Sequence, residues 1–274
     1  MIPVIVPAKN EEKNLKTTIV SLRETASYAE EELFIVVIDD GSKDNTAKIA
    51  KDLACHLVRL PDRGYSALGK PELADTHNAG FKFIDENIDL NSYKYLMVVG
   101  ADTTFDIDYL YLLKDEMERR DNLVLCAGVL SGLIANDDAV RGTGRLIRNS
   151  FWTVVGRKLP NMFHSWESYP VVFALAYGYK AGTISTAKMD TPRVPMETVD
   201  WKRYGIGMRE NGSLLIYVLL RALKRLLKAK DFIGFYRLVY GYLSSKPNLY
   251  DKKLRDFNAN RQLRKLFGLG QKKP

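Results

Sequence analysis

A chain of 274 residues, 46% hydrophobic and 27% charged, is long and apolar enough to bury the core of one large α/β domain or two modest ones, which excludes a disordered chain. Its two cysteines, Cys55 and Cys126, lie in apolar contexts and form no C-x-x-C pair, so buried thiols in a reducing compartment are expected and a cysteine metal site is excluded. The formal charge of +8 is uneven: residues 206–274 hold 16 Lys and Arg against 4 Asp and Glu, while the 205 before them hold 25 basic against 29 acidic, so an anionic partner is expected for the tail alone.

The start, MIPVIVPAKN, lacks the basic region and apolar stretch of a signal peptide, and no run approaches the roughly 20 apolar residues that cross a bilayer, so a cytoplasmic location is expected. PVIVP reads as a short strand closed by Pro7, followed by a helix over EEKNLKTTIVSLRETA with Leu15, Ile19 and Leu22 at helical spacing. LFIVVID is the next strand and DNTAKIAKDLA the next helix, with Asp44 or Asn45 as its N-cap. CHLVRL, ADTHNAGFKFIDEN and YKYLMVVGAD continue as strand, helix and strand. This alternation, with near-continuous apolar strands, argues for an α/β fold with a mostly parallel central sheet covered by helices on both faces.

From Asp106 the pattern gives a helix, DIDYLYLLKDEMERR, and a strand, LVLCAGVL. Between Arg141 and Lys180 two helices are expected, one carrying Leu146, Ile147 and Trp152, the other Val171, Val172, Leu175 and Ala176. KMDTPRVPMETVDWKRYG then reads as an ordered loop. No internal repeat is evident.

Three strands end on polar, acid-bearing stretches: PAKNEE, DDGSKDNT and GADTTF. In parallel sheets ligands bind outside the carboxyl ends of the strands. A single Asp- and Gly-rich turn is ordinary, but three together point to a shared crevice. Adjacent Asp39 and Asp40 at the end of a buried strand repel each other, which implies a polar partner. Carboxylates around such a cleft suit Mg²⁺ or Mn²⁺ together with a phosphorylated ligand, and Asp102 is the candidate metal ligand. A phosphate-cradling G-x-x-x-x-G-K-[ST] loop is absent, and the GTG of Gly142–Gly144 lacks both a third glycine and a preceding strand.

IPVIVPAKNEEKNL, VVIDDGSKDNT and MVVGADTTF, in this order and spacing, resemble the nucleotide-sugar half of the family-2 glycosyltransferases. The resemblance covers residues 2–115 well and 140–210 weakly. It implies a GT-A fold in which Pro7, Ala8, Asn10, Glu11 and Glu12 line the nucleoside pocket. Asp39 and Asp40 would hydrogen-bond base and ribose, with Gly41 and Ser42 turning the chain beneath them. Gly69, Lys70, Asn78 and Gly80 resemble the family's G-K…N-x-G element, which places Lys70 near the sugar nucleotide. His77 is expected on a helix surface.

The D-x-D metal motif of that family reads Gly100-Ala101-Asp102, so the second aspartate is present and the first is glycine. His164 is the last histidine, so no late histidine ligand is available. WESYPVVFALAYGYK resembles the acceptor half, with Glu167 as general base and Gly178-Tyr179 closing the helix. Arg203 and Arg209, beside what looks like a mobile Gly pair, resemble the loop cations that neutralise a departing diphosphate.

In the tail, Arg221, Lys224, Arg225 and Lys228 form one helical stripe, opposite Leu219, Leu220, Leu223, Leu226 and Leu227. A basic amphipathic helix of this kind suits the surface of an anionic membrane, and FYRLVYGYL adds aromatic residues suited to headgroup depth. The alternative is that the Leu face packs on the body. No nucleic-acid module is recognisable. Beyond Lys246 the chain becomes highly charged and is expected to be partly ordered at best.

The sequence thus reads as a nucleotide-sugar half (1–115), an acceptor half (116–205) and a basic helical region (206–274). The expected function is inverting transfer of a sugar from a UDP- or GDP-sugar to a lipid-linked or saccharide acceptor by a peripherally membrane-bound enzyme. A sugar-1-phosphate nucleotidyltransferase would share the sheet and metal, but its Gly-rich, Arg-containing N-terminal loop is missing. A non-catalytic nucleotide-sugar-binding protein is the remaining alternative, suggested by Gly100.

Overall fold

The strands β1 (Ile2–Ala8), β2 (Leu33–Asp39) and β3 (His56–Arg59) alternate with the helices α1 (Leu15–Tyr28) and α2 (Thr46–Asp52), as the apolar runs dictate. The computed structural model describes residues 1–133, 140–163, 166–192, 199–245 and 250–268. The chain divides into two units. The first comprises Met1–Ala67, Asp75–Leu159 and Tyr179–Arg193; the second comprises Leu68–Ala74, Pro160–Gly178 and Val194–Pro274.

The first unit continues with α3 (Glu72–Asn87) from Asp75 onward, β4 (Tyr95–Val98), β5 (Thr104–Phe105), α4 (Tyr109–Arg119), β6 (Leu123–Leu130), β7 (Arg145–Arg148), α5 (Asn149–Val155) and β8 (Lys180–Asp190). All eight strands join one sheet in the order β3-β2-β1-β4-β7-β6-β8-β5. The pairings β3–β2, β2–β1, β1–β4 and β6–β8 are parallel, whereas β4–β7, β7–β6 and β8–β5 are antiparallel. The sheet is therefore parallel through its first four strands and mixed beyond them.

Helices cover both faces, and strand alternation explains how. Ile2, Val4, Val6 and Ala8 of β1 share a core with Leu15, Ile19 and Leu22 of α1 and with Leu110, Leu113 and Met117 of α4. Ile5 of β1 and Ile38 of β2 face the other way, toward α3. A Cβ on Gly80 of α3 would lie 2.7 Å from Ile38 Cδ1 and 2.9 Å from Ile5 Cγ2, so only glycine lets this helix lie so close to the strands.

Leu146 and Ile147 form β7 rather than the helix expected of them, and only α5, carrying Trp152, is helical there. Arg145 and Arg148, which flank the pair, are buried in the sheet. Carbonyls from other segments satisfy their guanidinium groups: Val140 and Arg141 accept from Arg145, and Leu123 accepts from Arg148. Local spacing carries no sign of such partners. The short β5 lies in the GADTTF turn, and the long β8 runs mostly through residues 181–187, for which the spacing predicts no element. Lys188–Asp190 extends β8, residues 193–198 of the Pro-rich stretch lie outside the described residues, and Trp201 starts a helix.

The second unit is helical: α6 (Tyr169–Ala176), α7 (Trp201–Glu210), α8 (Leu215–Ala229), α9 (Phe232–Ser244) and α10 (Lys252–Leu266). The Gly pair expected to be mobile belongs to α7. A Cβ on Gly205 would meet the Leu238 carbonyl oxygen at 2.1 Å, and one on Gly241 of α9 would meet the Lys202 carbonyl oxygen at 2.1 Å. The glycines thus let the backbones of α7 and α9 approach each other. Met208, Val218, Ala222, Leu238 and Tyr242 form the small core of this unit.

The charged stretch beyond Lys246 builds the ordered helix α10, whose N-cap Asp251 accepts from Leu254 N at 2.8 Å. Gln262 is buried: it accepts from Leu214 N and donates to Ser213 Oγ, both at 2.8 Å. Cys55 is half-buried, Cys126 is buried and both are free thiols. Among the described residues no helix is long and apolar enough to cross a membrane.

Candidate functional site

β2, β1 and β4 are parallel neighbours, so the segments leaving Asp39, Ala8 and Val98 emerge at the same edge of the sheet. Two of these segments are knitted together by their polar residues. Asn10, at φ +55, takes the left-handed conformation that Asn tolerates. Its amide donates to Ser42 Oγ at 2.9 Å and its side-chain oxygen accepts from Lys43 N at 2.9 Å. Glu11 N donates to Thr46 Oγ1 at 2.8 Å, Glu12 N donates to Asp44 Oδ2 at 3.1 Å, and the Glu12 carboxylate accepts from Asn45 N and Nδ2. Asp44 also takes the Thr46 amide at 3.0 Å, so it, and not the Asn45 side chain, satisfies the first turn of α2. Hydrogen bonds from Thr46 and from the Glu12 amide hold the Asp44 carboxyl below its ordinary pKa against the opposing effect of burial.

The Asp39–Asp40 pair finds its counter-charges on the next strand and the loop after it. Asp39 is fully buried; its Oδ1 accepts from Ser42 N at 2.8 Å, and its Oδ2 lies 3.2 Å from Arg59 Nε. That approach is close enough for an ion pair but too poorly directed for a hydrogen bond to Oδ2. The parallel register pairs Asp39 with Arg59 directly, so the geometry follows from the strand alignment.

Asp40, 2% exposed, is paired with Arg63 Nη1, which also reaches Thr76 Oγ1 at 3.3 Å. Burial pushes the Asp40 carboxyl above its ordinary pKa, and the charges of Arg63 and Lys9 offset this only in part. Lys9 Nζ donates to the Asp40 carbonyl at 2.7 Å and to Asp62 Oδ1 at 2.9 Å, fastening the loop after β3 across the ends of β1 and β2. Gly41 is required here twice over: its φ is +72, and a Cβ would lie 2.4 Å from Asp62 Cα. Local spacing does not single out Lys9, Arg59, Asp62 or Arg63; the signal for two of them is the pair of arginines in VRLPDRG, one ending the strand that neighbours β2 and one in the loop after it.

Asp102, 8% exposed, stands beyond β4, and the Ala101 carbonyl beside it accepts from Thr18 Oγ1 of α1 at 2.9 Å. Gly100 N donates to Thr143 Oγ1 at 2.8 Å, and Thr103 Oγ1 lies 2.8 Å from the same hydroxyl. A Cβ at Gly100 would lie 3.1 Å from Asp102 Oδ1, 3.2 Å from Thr103 Oγ1 and 3.3 Å from Thr143 Oγ1. Where a D-x-D motif would carry its first aspartate, the space is lined by a pair of threonine hydroxyls. Among the described residues no cluster of three or more His, Cys, Asp or Glu side chains has metal-binding geometry. One carboxylate among hydroxyl oxygens suits a hard cation that takes the rest of its coordination from ligand and water, and not a closed protein cage.

The remaining candidates belong to the second unit. Lys70 lies in the turn that precedes α3, after Gly69 at φ +70. Glu167 is exposed and directly precedes Ser168, the N-cap of α6; that helix ends before Gly178, at φ +82. Arg203 is in the first turn of α7, 3.4 Å from the N-cap Asp200 carboxylate. Arg209 lies against the Tyr242 ring of α9 at 5.1 Å and donates to its hydroxyl at 3.3 Å. Both arginines are therefore helical rather than on a loop.

His77 is buried in α3, not on its surface. Asn78 is a clamp: its Nδ2 donates to Leu159 O at 2.9 Å and its Oδ1 accepts from Leu159 N at 2.8 Å. His164 lies outside the described residues.

Residues 4–168 match the family described as Glycosyl transferase family 2. An uncharacterized protein of Methanocaldococcus jannaschii is 35% identical over 104 residues, which is 36% of this chain and 38% of that protein. The chain therefore matches little more than a third of the length of that curated relative. S. aureus TarS, solved in complex with UDP-GlcNAc, superposes with a TM-score of 0.56 at 15% identity, covering 88% of this chain and 71% of TarS. The mannosyltransferase PcManGT of Pyrobaculum calidifontis, solved with GDP-Man and Mn²⁺, also gives 0.56 at 15% identity, over 98% of this chain and 76% of that one. At such identities the two structures establish a shared fold.

Proposed function

Because the chain belongs to glycosyl transferase family 2, we propose that this glycosyltransferase takes its sugar from a UDP- or GDP-sugar, inverts the anomeric centre and delivers it to a lipid-linked or saccharide acceptor. The observation that carries this reading is the meeting of three acid-bearing segments, those of Asp39–Asp40, Glu11–Glu12 and Asp102, at one edge of the sheet. That edge is the carboxyl end of parallel strands, where α/β sheets bind nucleotides. The relatives solved with UDP-GlcNAc and with GDP-Man support the donor class.

In this reading Pro7, Ala8, Asn10, Glu11 and Glu12 form the wall of the nucleoside pocket, and Asp39, Asp40, Gly41 and Ser42 its floor. Asp39 and Asp40 hold arginines and the chain turn in place, so the floor is rigid before a donor arrives, and Arg59 and Arg63 add positive charge beside it. Asp102, with Ala101 and the Thr103 and Thr143 hydroxyls next to it, would hold Mg²⁺ or Mn²⁺; when bound, that cation offsets the charge of the donor diphosphate. Lys70, Arg203 and Arg209 are proposed as cations for the same diphosphate.

Glu167 is the proposed general base. As the acceptor oxygen forms its bond to the anomeric carbon, the bond from that carbon to the diphosphate oxygen breaks and its electron pair leaves with the nucleoside diphosphate. The acceptor proton passes to the Glu167 carboxylate. An acceptor that is already a phosphate anion needs no such proton transfer. A lipid-linked acceptor would place the enzyme at the cytoplasmic membrane surface, toward which the basic tail would turn.

The test is incubation with Mn²⁺ and a panel of UDP- and GDP-sugars. Slow hydrolysis of one donor to nucleoside diphosphate and free sugar is the expected result. Chemistry that depends on pyrophosphate would assign a nucleotidyltransferase instead, and tight binding without turnover a non-catalytic binding protein.

A further inference from the structure

The expected alternatives for the Leu-rich face of α8 were a bilayer and the body of the protein, and the side chains divide unexpectedly between buried and exposed. Val218 and Ala222 are the α8 residues buried in the core of the second unit. Leu215, Ile216, Leu219, Leu220, Leu223 and Leu227, which recur at helical spacing, are exposed, Leu227 at 71%. The next helix repeats the pattern. Gly234, Leu238, Gly241 and Tyr242 of α9 face inward, while Phe232, Ile233, Tyr236, Tyr240 and Leu243 are exposed, Ile233 at 72%. Two successive helices thus each turn large apolar side chains away from the core they share, more than the scattered apolar residues normal on a soluble surface.

The cations divide in the same way. Arg221 lies over the Tyr204 ring at 4.9 Å, and Arg225 lies over the Trp201 ring at 3.8 Å while pairing with Asp231. Half of the basic stripe is thereby spent on packing within the unit. Lys224, Lys228 and Lys230 of α8 and its cap, and Arg237 of α9, are exposed beside the apolar side chains.

We propose that the exposed faces of α8 and α9 form one docking surface for an anionic lipid bilayer, with Leu227, Ile233 and their neighbours immersed at the acyl boundary. Lys224, Lys228, Lys230 and Arg237 extend to the headgroups, and Tyr236 and Tyr240 sit at headgroup depth. Charge selects this occupant over a second copy of the chain: a symmetric pairing of these faces would set each cluster of cations against its twin. The surface rests on the reading of the enzyme as one that serves a membrane-bound acceptor, but its binding is measurable without turnover.

Full-length chain is mixed with phosphatidylcholine vesicles, with and without phosphatidylglycerol, and sedimented at low and high salt. Binding is expected on the anionic vesicles, weakening as salt rises. Lys224→Gln with Lys228→Gln should weaken the partition about fivefold per lysine. Leu227→Glu with Ile233→Glu, at positions too exposed to disturb folding, should weaken it at least about tenfold per site.

Wild-type chain that stays in the supernatant with anionic vesicles at low salt overturns the proposal. So does equal pelleting of the glutamate variant, or a concentration-dependent dimer that the glutamates dissociate. Donor hydrolysis by the same samples keeps the two readings apart: vesicle binding without hydrolysis refutes the transferase and leaves the surface standing, and hydrolysis without vesicle binding does the reverse.

Discussion

Replacing Arg63 by methionine removes the cation from Asp40 while keeping most of the apolar stem. The Asp40 side chain is 3% exposed and Arg63 23%. Breaking a buried ion pair by deleting one partner costs about 3–5 kcal/mol, because the other charge stays buried and uncompensated. Arg63 is partly open to screening water, and Lys9 lies close to the Asp40 backbone, so the lower end applies, about 3 kcal/mol at pH 7.

The sign of the pH dependence follows from the folded-state carboxyl, already raised by burial and raised further without its arginine. Such a group takes up its proton in the folded state at a higher pH than in the unfolded chain. The penalty is therefore complete above the folded pKa and fades as pH falls toward the unfolded value, near 4. Urea unfolding of wild type, Arg63→Met, Asp40→Asn and the double variant from about pH 8 to about pH 4 reads this directly. The double variant should recover most of the loss. A deficit independent of pH, or a double variant as unstable as Arg63→Met alone, would refute the pairing as the reason two aspartates can end a buried strand.

Other substitutions have defined outcomes. Tyr109→Phe removes a fully buried hydroxyl that donates to Gly144 O and accepts from Gly128 N, each at 2.8 Å; leaving both groups unpaired should cost about 2–5 kcal/mol in urea unfolding with an unchanged m-value. Gly80→Ala drives a methyl into Ile38 and Ile5 and should cost about 1–3 kcal/mol, seen as a lower thermal midpoint. Glu167→Gln should slow transfer to a hydroxyl acceptor about 10²–10⁴-fold with little change in donor KM, and near-normal turnover on that acceptor would falsify the general-base role.

The parallel half of the sheet was readable because its signals are local. In β1, β2 and β4 the apolar residues are consecutive, and the polar turns that follow mark the binding edge. The pairing of Asp39 with Arg59 and of Asp40 with Arg63 was hidden because it depends on which strand lies beside β2, a fact of register and not of spacing. β7 is not legible in local spacing for a related reason: Arg145 and Arg148 can enter the sheet only because carbonyls at Val140, Arg141 and Leu123 receive them. Gly205 and Gly207 suggested a mobile loop, yet Gly205 faces the backbone of α9, and glycine in a helix is explained only by the neighbour it admits. In the tail the basic stripe was visible from the sequence, but the retention of Arg221 and Arg225 by Tyr204 and Trp201 was not.

Asp102 is the residue through which a cation is proposed to hold the donor diphosphate. Titrating UDP- and GDP-sugars into wild type and Asp102→Asn, with Mn²⁺ and with EDTA, measures this most directly. One donor should bind wild type in Mn²⁺ and lose at least about tenfold in affinity both in EDTA and in the variant, whose thermal midpoint without donor stays near that of wild type. Equal donor affinity in all four samples, or no binding of any donor to wild type, would contradict it.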